Sequence, residues 1–296
     1  MPASTAIKVA CFNCGSNSTR VFHSVDNIPV HSCLLMPSRQ EAVDYPRGDL
    51  RVAFCDDCGF IQNSAFDPAV HEYSQRYEET QAFSAKFVDF AREVCEDYGR
   101  KYSLADKTVL EIGCGKGEFL VMLCELTGAR GIGIDPGYRP ERTTSPAADR
   151  LEFIVDFYSE KYTHLAADMV LCRHTLEHIQ PTKEFMSMVR RSIGDRQGTI
   201  VAFELPDMER ILEEQAFWDI YYEHCSYFTL GSLSRLFKSC GFEVLELAKC
   251  YDGQYLLIDA RPGEHPEGKV LPGEDDLPRL RQLVDEFETK LAEKMT

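Results

Sequence analysis

The chain has 296 residues, of which 44% are hydrophobic and 27% are charged, a composition typical of a globular protein with a sizeable core. Its formal net charge of −16 argues against a nucleic-acid-binding surface, because phosphate recognition requires a concentrated positive field. No apolar stretch reaches membrane-spanning length and the N-terminus lacks a signal-peptide pattern, so we expect a cytoplasmic protein without membrane contact.

Two cysteine pairs near the N-terminus share the pattern Cys-x-x-Cys-Gly, at Cys11 and Cys14 and at Cys55 and Cys58. Two intervening residues allow both sulfurs of a pair to reach one metal ion, and four thiolates favour a closed structural zinc site. A catalytic zinc is disfavoured, because four cysteine ligands leave no open position. The alternative is two unrelated cysteine pairs. We expect a small zinc-binding β module over residues 1–70.

Aromatic residues precede the main domain. Tyr73 and Tyr77 lie where a side chain can face a cleft, and core packing is the alternative of equal weight. Over residues 83–98 apolar residues recur at helical spacing, which predicts an amphipathic helix packed on the main domain.

The stretch of residues 109–120 is the most informative in the chain. An apolar strand containing Glu111 turns through three alternate glycines into an apolar helical pattern. Glycines let the backbone approach a ligand closely, and a helix start offers free N–H groups. A second strand ends at Asp135, where an acid can accept both ribose hydroxyls of a nucleoside.

A dinucleotide site would require Gly-x-Gly-x-x-Gly, whereas this chain has Gly-x-Gly-x-Gly after Glu111. The pattern Glu-Ile-Gly-Cys-Gly-Lys-Gly resembles motif I of the class I S-adenosylmethionine (SAM) methyltransferases. The resemblance implies SAM as the cofactor. The candidate cofactor-binding residues here are Glu111, Gly113, Gly115, Gly117, Phe119, Asp135 and Arg173. An NAD site and a glycine turn without a ligand are the alternatives.

Strands alternate with helices through the middle of the chain. The predicted strands are 109–112, 131–135, 151–154, 168–172 and 199–204, and the predicted helices are 117–126 and 182–193. This order predicts an α/β fold with a parallel, doubly wound sheet, whose ligands bind at the carboxyl ends of the strands. Asp156 and Phe157 follow one such end, where an acid can bind adenine and an aromatic ring can cover it.

His174 and His178 follow the fourth of these strands. In a helix they would share one face, and with Glu177 between them they suggest a metal site, although a third ligand is missing from the local sequence. Binding of substrate or movement of protons fits two site histidines better. A purely structural role is the third interpretation.

An aromatic and titratable segment, residues 217–229, follows the fifth strand and contains the pair Glu223 and His224. The run can be a cap over the sheet, but a buried Glu-His pair requires partners. Thr229 is the predicted N-cap of a helix ending at Gly241. The strands 243–248 and 255–260 are expected to finish the sheet as an antiparallel pair, and a charged helix spans 277–294.

Together these features resemble the SAM-dependent C-methyltransferases that act on TDP-linked 4-keto deoxysugars. The shared features are the two cysteine pairs, motif I and a Tyr-x-Glu-His-x-Ser-Tyr-Phe signature, which covers residues 221–228 here. The resemblance implies a class I fold with a seven-stranded sheet and the N-terminal zinc module. It also implies that His224 is the general base, Glu223 orients it or helps to shuttle the proton, and Tyr221 binds the enolate oxygen. The resemblance also implies that His178 lies near the substrate and that Tyr77 closes over the site. His174 and Tyr222 are the remaining candidates for substrate binding.

Three departures from that family concern the substrate. His174 stands where the sugar enzymes usually carry Asn, residues 252–255 replace their His-Gly-Gly-Ser, and the chain ends at Thr296, before their third domain. We expect a methyltransferase domain over 71–262 and a linker with a C-terminal helix over 263–296. The substrate is expected to be a small molecule, with a nucleotide-linked deoxysugar as the leading class. The alternatives are O- or N-methylation of another metabolite, RNA methylation, and SAM binding without turnover.

Overall fold

The computed structural model describes residues 9–70, 76–78, 80–266 and 268–296, so the prediction for Tyr73 lies outside the described residues. The described chain forms two β-sheets, one of four strands and one of seven. Within these residues, no helix combines the length and the apolar character that crossing a bilayer requires.

The strands of the described chain are β1 (Thr19–Pro29), β2 (Arg47–Cys55), β3 (Ile61–Asn63), β4 (Thr108–Ile112), β5 (Arg130–Ile134), β6 (Leu151–Ile154), β7 (Met169–Arg173), β8 (Ile200–Pro206), β9 (Ser226–Tyr227), β10 (Phe242–Cys250) and β11 (Tyr255–Pro262). The α-helices are α1 (Arg39–Asp44), α2 (Ala85–Tyr102), α3 (Glu118–Thr127), α4 (Thr182–Ile193), α5 (Met208–Glu214), α6 (Leu230–Ser239) and α7 (Leu277–Lys294).

The seven-stranded sheet has the spatial order β10-β11-β8-β7-β4-β5-β6. Strands β6, β5, β4, β7 and β8 run parallel. Strand β11 lies antiparallel to β8 and to β10, which confirms the predicted antiparallel pair at this edge. The carboxyl ends of β4, β5 and β7 are therefore neighbours, and they face the segments that carry the candidate site.

Helices cover both faces of this sheet because successive residues of a buried strand point to opposite sides. On β4, Val109 packs with the buried residues of α2 and α3, whereas Leu110 and Ile112 pack with those of α4 and α6. Apolar residues thus occupy consecutive positions along the strand. This double burial explains the apolar residues at 109, 110 and 112, which predicted the strand from sequence although Glu111 lies among them.

The four-stranded sheet, here called the N-terminal sheet, has the order β1-β2-β3-β9 and is antiparallel throughout. Its last strand, β9, comes from the aromatic segment after β8 rather than from the N-terminal residues. Buried side chains of β2, α5 and α7 form a common core beside it, including Phe54, Ile211 and Phe287. The N-terminal sheet and the seven-stranded sheet are therefore joined through the segment that contains the Glu-His pair.

Helices α2 and α5 are among the elements that differ from the predictions. Helix α2 begins at Ala85, where Ser84 caps it, and continues to Tyr102, past the predicted end at residue 98. Helix α5 was not predicted; the Asp207 side chain accepts from the Glu209 N–H and so caps it. The predicted N-cap of α6 is confirmed, because the Thr229 side chain accepts from the Ser232 N–H.

Candidate active site

The glycine turn joins β4 to α3. Gly113, Gly115 and Gly117 have φ angles of 71°, 54° and 82°, a region that favours glycine over every other residue. A Cβ atom on Gly113 would lie 2.1 Å from Thr175 Oγ1, so a larger residue does not fit. Helix α3 begins directly after the turn, at Glu118. The turn therefore leaves room for a ligand at the carboxyl end of β4.

Two cavities of about 350 and 440 Å³ lie at this edge of the sheet. Their linings share Gly113, His174, Thr175 and His178. The larger is also lined by Asp135, Asp156 and Phe157. The smaller is also lined by Glu111, Gly115, Phe119, Arg173, Glu177, Tyr77, Tyr221 and His224. The structure thus brings most of the predicted site residues to two spaces that share a wall.

Acidic residues of the larger cavity are held by local contacts. Asp135 accepts hydrogen bonds from the backbone N–H groups of Gly115, at 2.9 Å, and of Gly137, at 2.6 Å. Asp156 pairs with Lys161. The ring of Phe157 is 59% exposed at the rim, so it is accessible to a ligand.

Glu111 supplies the clearest test of whether SAM fits. Its side chain is buried, and Oε2 has no hydrogen-bond partner among the described residues. Burial raises the pKa of Glu111 to about 7, while the charge of Arg173 opposes this shift. An unpartnered carboxyl oxygen in a cavity suits a ligand that carries positive charge, as SAM does at its sulfonium and ammonium groups. The site residues fit this cofactor.

Arg173 lines the same cavity, but its guanidinium is already engaged. It donates to both carboxyl oxygens of Glu204, at 3.3 and 2.8 Å, and lies 3.8 Å from the centre of the Phe119 ring. Burial by itself raises the pKa of Glu204, but Arg173 and His174 outweigh burial and hold it at about 2. The predicted cofactor-binding residue Arg173 therefore forms a buried ion pair in the cavity wall.

His224 lies in a cluster of ring side chains. Its Nε2 is 2.8 Å from the Tyr221 hydroxyl, and its ring centre is 4.8 Å from that of His178. Burial, followed by the charge of His178, lowers the pKa of His224 well below its usual range. Burial also raises the pKa of Tyr221. At neutral pH the pair offers an uncharged imidazole beside a protonated hydroxyl.

Glu177, which the sequence analysis considered only as part of a metal site with His174 and His178, lines the smaller cavity. It is buried, its Oε2 has no partner among the described residues, and burial raises its pKa to about 7. Ligand atoms of Glu177, His178 and His224 all lie within 4.8 Å of one another. His224 is thus the third member of a cluster with Glu177 and its neighbour His178. It comes from the aromatic segment, too far along the chain for local spacing to reveal.

The segment from His174 to His178 is not the α-helix that was considered from the sequence. Residues Leu176–His178 form a single 3₁₀ turn, and His174 precedes it in the left-handed region with a φ of 47°. Its Nε2 lies 2.7 Å from Glu204 Oε1. A non-glycine residue at positive φ is a strained position of the kind that clusters at functional sites.

Glu223 and Tyr222 form hydrogen bonds with residues from the N-terminal part of the chain. The Glu223 carboxylate is buried, with Oε2 at 2.9 Å from His31 Nδ1 and Oε1 at 3.1 Å from the Ser32 N–H. The Tyr222 hydroxyl accepts from the Asp67 N–H at 2.8 Å. Tyr222 is not among the residues that line either of these two cavities, and its ring packs against Gly48 of β2, so its substrate contact stays a prediction. Tyr222 and Glu223 form a turn, closed by the His224 N–H that donates to the Tyr221 carbonyl at 3.2 Å.

Tyr77 lines the smaller cavity, and a buried lysine anchors its backbone. Lys116 Nζ donates to the carbonyl of Tyr77, at 2.9 Å, and to that of Gly137, at 2.7 Å. A buried ammonium requires such acceptors. Lys116 stands inside the glycine motif, but nothing in the motif indicates that it reaches Tyr77.

The two cysteine pairs meet as predicted. The four Sγ atoms lie within 4.8 Å of one another, with Cys11 and Cys58 at 3.5 Å and Cys14 and Cys55 at 3.7 Å. Four thiolates around one zinc ion would be about 3.8 Å apart. The cluster therefore fits a tetrahedral metal site.

A parallel sheet with an antiparallel pair at one edge and a glycine turn after β4 defines the class I SAM-dependent methyltransferase fold. The family described as "Methyltransferase domain" matches residues 77–247, more than half of the chain. The chain belongs to this family and is a SAM-dependent methyltransferase.

Two relatives refine the comparison. The C-methyltransferase NovU of Streptomyces niveus is 28% identical over 208 residues, which cover 67% of this chain and 47% of NovU. The chain thus spans about half the length of this relative. An O-methyltransferase family protein from Burkholderia thailandensis has a TM-score of 0.50 at 17% identity, covering 61% of this chain and 57% of the other. At that identity the likeness concerns the fold.

Proposed function

We propose that this enzyme methylates a carbon next to a ketone, with His224 as the general base. The observation that carries the proposal is the position of the buried His224 ring, whose Nε2 lies 2.8 Å from the Tyr221 hydroxyl in a cavity that Glu111 also lines. Burial lowers the pKa of His224, which favours the uncharged imidazole at neutral pH. A base must be neutral to accept a proton, and an enolate needs a hydrogen-bond donor at its oxygen. The similarity to NovU supports methylation at carbon.

The residues act in sequence. His224 accepts the proton from the carbon beside the ketone, and the electrons of that C–H bond form an enolate whose oxygen accepts a hydrogen bond from Tyr221. When bound, SAM would supply an electrophilic methyl group: the enolate carbon would form a bond to it, and the electrons of the broken carbon–sulfur bond would stay with sulfur in S-adenosylhomocysteine. Glu111 neutralises positive charge in the cofactor, and Asp135 and Asp156 line the space assigned to its nucleoside.

The proposed substrate class is a nucleotide-linked 4-keto deoxysugar. The sequence signature of residues 221–228 supports it, and so do His178 and Tyr77, which line the smaller cavity together with His224. In this scheme His178 contacts the substrate or assists proton movement, Tyr77 covers the cavity and His174 contributes to the substrate wall.

We also propose that the four cysteines bind a structural zinc ion. Their sulfur spacing supports the assignment. Residues 1–70 would then be the zinc-binding module, 71–262 the methyltransferase domain and 263–296 a linker with the C-terminal helix.

Solvent exchange tests the carbon chemistry. The protein is incubated in D2O with a panel of TDP-4-keto deoxysugars, with and without SAM, and compared with His224→Ala and with the control His164→Ala, which changes an exposed histidine. We expect deuterium beside the ketone in the wild type and the control but not in His224→Ala. Absence of both exchange and methylation across the panel would rule out this substrate class.

A second candidate is methylation at oxygen or nitrogen assisted by a divalent metal ion. The cluster of Glu177, His178 and His224 favours it, because a bound metal ion would lower the pKa of a substrate hydroxyl. Metal analysis separates the candidates. Two ions per chain in the wild type and one in Glu177→Gln would support the metal-assisted reaction, whereas one in both would leave His224 free to act as the base.

A further inference from the structure

The N-terminal sheet reaches the candidate active site through the segment that follows β1. His31 and Glu223 both have fully buried side chains, and His31 Nδ1 lies 2.9 Å from Glu223 Oε2. The Ser32 N–H, at 3.1 Å, and the Ser32 hydroxyl both donate to Oε1. A buried carboxylate is costly unless it is fully hydrogen-bonded. Two successive residues of the N-terminal segment meet this requirement.

The backbone of Glu223 also contacts the segment that follows β7. Its backbone carbonyl accepts from His178 Nδ1 at 3.1 Å, and the next residue is His224. One residue thus links His31 and Ser32, on the N-terminal side, to the wall that follows β7. The Glu223 carboxylate is therefore placed to hold the backbone that carries the proposed base.

The residues after His224 are fastened to the same sheet. The Asn63 N–H donates to the Cys225 carbonyl at 2.9 Å, and β9 pairs with β3. On the other side, the Ser226 hydroxyl donates to the Ile179 carbonyl at 2.6 Å. His224 is thus bracketed by bonds that come from two parts of the fold.

We propose that His31 and Ser32 are positioning residues, which hold Glu223 so that His224 keeps one ring orientation toward Tyr221 and the cavity. This inference rests on the proposed role of His224. It gives the N-terminal sheet a part in catalysis beyond stability, and it makes the Glu223 carboxylate a support for the base rather than its direct proton partner.

The test compares His31→Leu with His31→Asn in the full chain. Leucine keeps apolar volume but removes the donor, whereas the asparagine amide can replace Nδ1. Ring ¹⁵N spectra at pH 7 report the tautomer of His224, with its signals assigned by their loss in His224→Gln. We expect a single tautomer in the wild type, an averaged mixture in His31→Leu and a single tautomer again in His31→Asn.

The chain offers a matched control in another histidine with a mostly buried side chain, which lies on β1. His23 Nδ1 lies 2.7 Å from Glu288 Oε1, against α7. We expect His23→Leu to lower the unfolding temperature but to leave the His224 tautomer unchanged. If His31→Leu does not fold, Ser32→Ala removes one donor to Glu223, and we expect it to produce a smaller shift of the same signals.

The result that would overturn the inference is a His224 tautomer that stays single in His31→Leu, or in Ser32→Ala where that variant replaces it. With a substrate that exchanges or is methylated, we also expect kcat in His31→Leu to fall about 10- to 100-fold at unchanged KM for SAM, with recovery in His31→Asn. The tautomer measurement needs no substrate, so failure of the proposed methylation reaction is distinguishable from failure of the positioning role.

Discussion

The two walls of the smaller cavity are built in different ways. The cofactor wall, with Glu111, Gly113 and Gly115, comes from one continuous strand and turn. The catalytic wall, with Tyr221 and His224, depends on contacts from residues 31–32, 61–63 and 178–179, which are distant in the chain. A wall made of continuous chain is determined by local backbone geometry. A wall assembled from distant segments is only as rigid as the contacts that hold it.

The largest expected effect comes from loss of the proposed zinc site. In Cys55→Ser we expect the metal to be lost and the N-terminal sheet to unfold locally, because structural zinc contributes roughly 10–16 kcal/mol to folding. Metal analysis and thermal unfolding measure this, with Cys250→Ser as the control outside the cluster. We expect SAM affinity, measured by calorimetry, to change little, since the cofactor wall lies elsewhere. Joint loss of SAM binding would contradict the separation of the two walls.

Replacing the proposed base should separate catalysis from cofactor binding. In His224→Gln we expect methyl transfer to fall roughly 10²- to 10⁴-fold, the usual contribution of a general base. The SAM dissociation constant should stay unchanged. Formation of S-adenosylhomocysteine and calorimetry provide the two readings, and a retained rate would transfer the role of base to another residue.

The pH dependence of the unfolding free energy allows the two walls to be compared through two buried acids. Burial raises the pKa values of Glu111 and Glu177 from 4.5 to about 7, so each binds its proton more tightly in the folded state. The stability that each contributes is present below pH 4.5 and is lost as pH rises through about 7, by about 3 kcal/mol per group. We expect Glu177→Gln to reduce this fall in the unfolding free energy between pH 5 and 8.

We expect SAM to change the contributions of Glu111 and Glu177 to this pH dependence differently. The positive charge of SAM should favour ionised Glu111, so saturating SAM should reduce the part of the pH dependence that Glu111→Gln removes. The part that Glu177→Gln removes should persist with SAM bound. Equal responses of both variants to SAM would indicate that the cofactor charge reaches both walls.

The smallest effect concerns the glycine turn. In Gly113→Ala the new Cβ would meet Thr175 Oγ1 at 2.1 Å, at a φ of 71°. We expect SAM to bind about 10- to 100-fold more weakly, since backbone strain of this kind costs about 1–3 kcal/mol. Gly198→Ala is the matched control, because nothing lies within 4 Å of its Cβ position. Unchanged SAM affinity in Gly113→Ala would place the cofactor away from the turn.

Much of the fold was predictable, since its strands are apolar runs bounded by turns and its helices carry caps such as Thr229. The segment from Asp207 to Glu214 was missed because a short helix carries little periodic signal. Tyr222 was predicted to lie in the substrate site together with its neighbours, but it lies in a turn and its hydroxyl accepts from the Asp67 N–H. Lys116 and Glu177 were visible in their motifs, yet the groups that lie near them, the Tyr77 carbonyl and His224, come from elsewhere in the chain.

The sequence by itself determined the class of fold, the glycine turn and the two cysteine pairs, because these depend on local backbone freedom, apolar periodicity and short spacing. Only the tertiary structure decided which residues hold Glu223 and which groups surround His224. Those contacts join residues nearly two hundred positions apart in the chain, such as His31 and Glu223, and no local pattern encodes them. They form because a buried carboxylate must find donors wherever the folded chain can provide them.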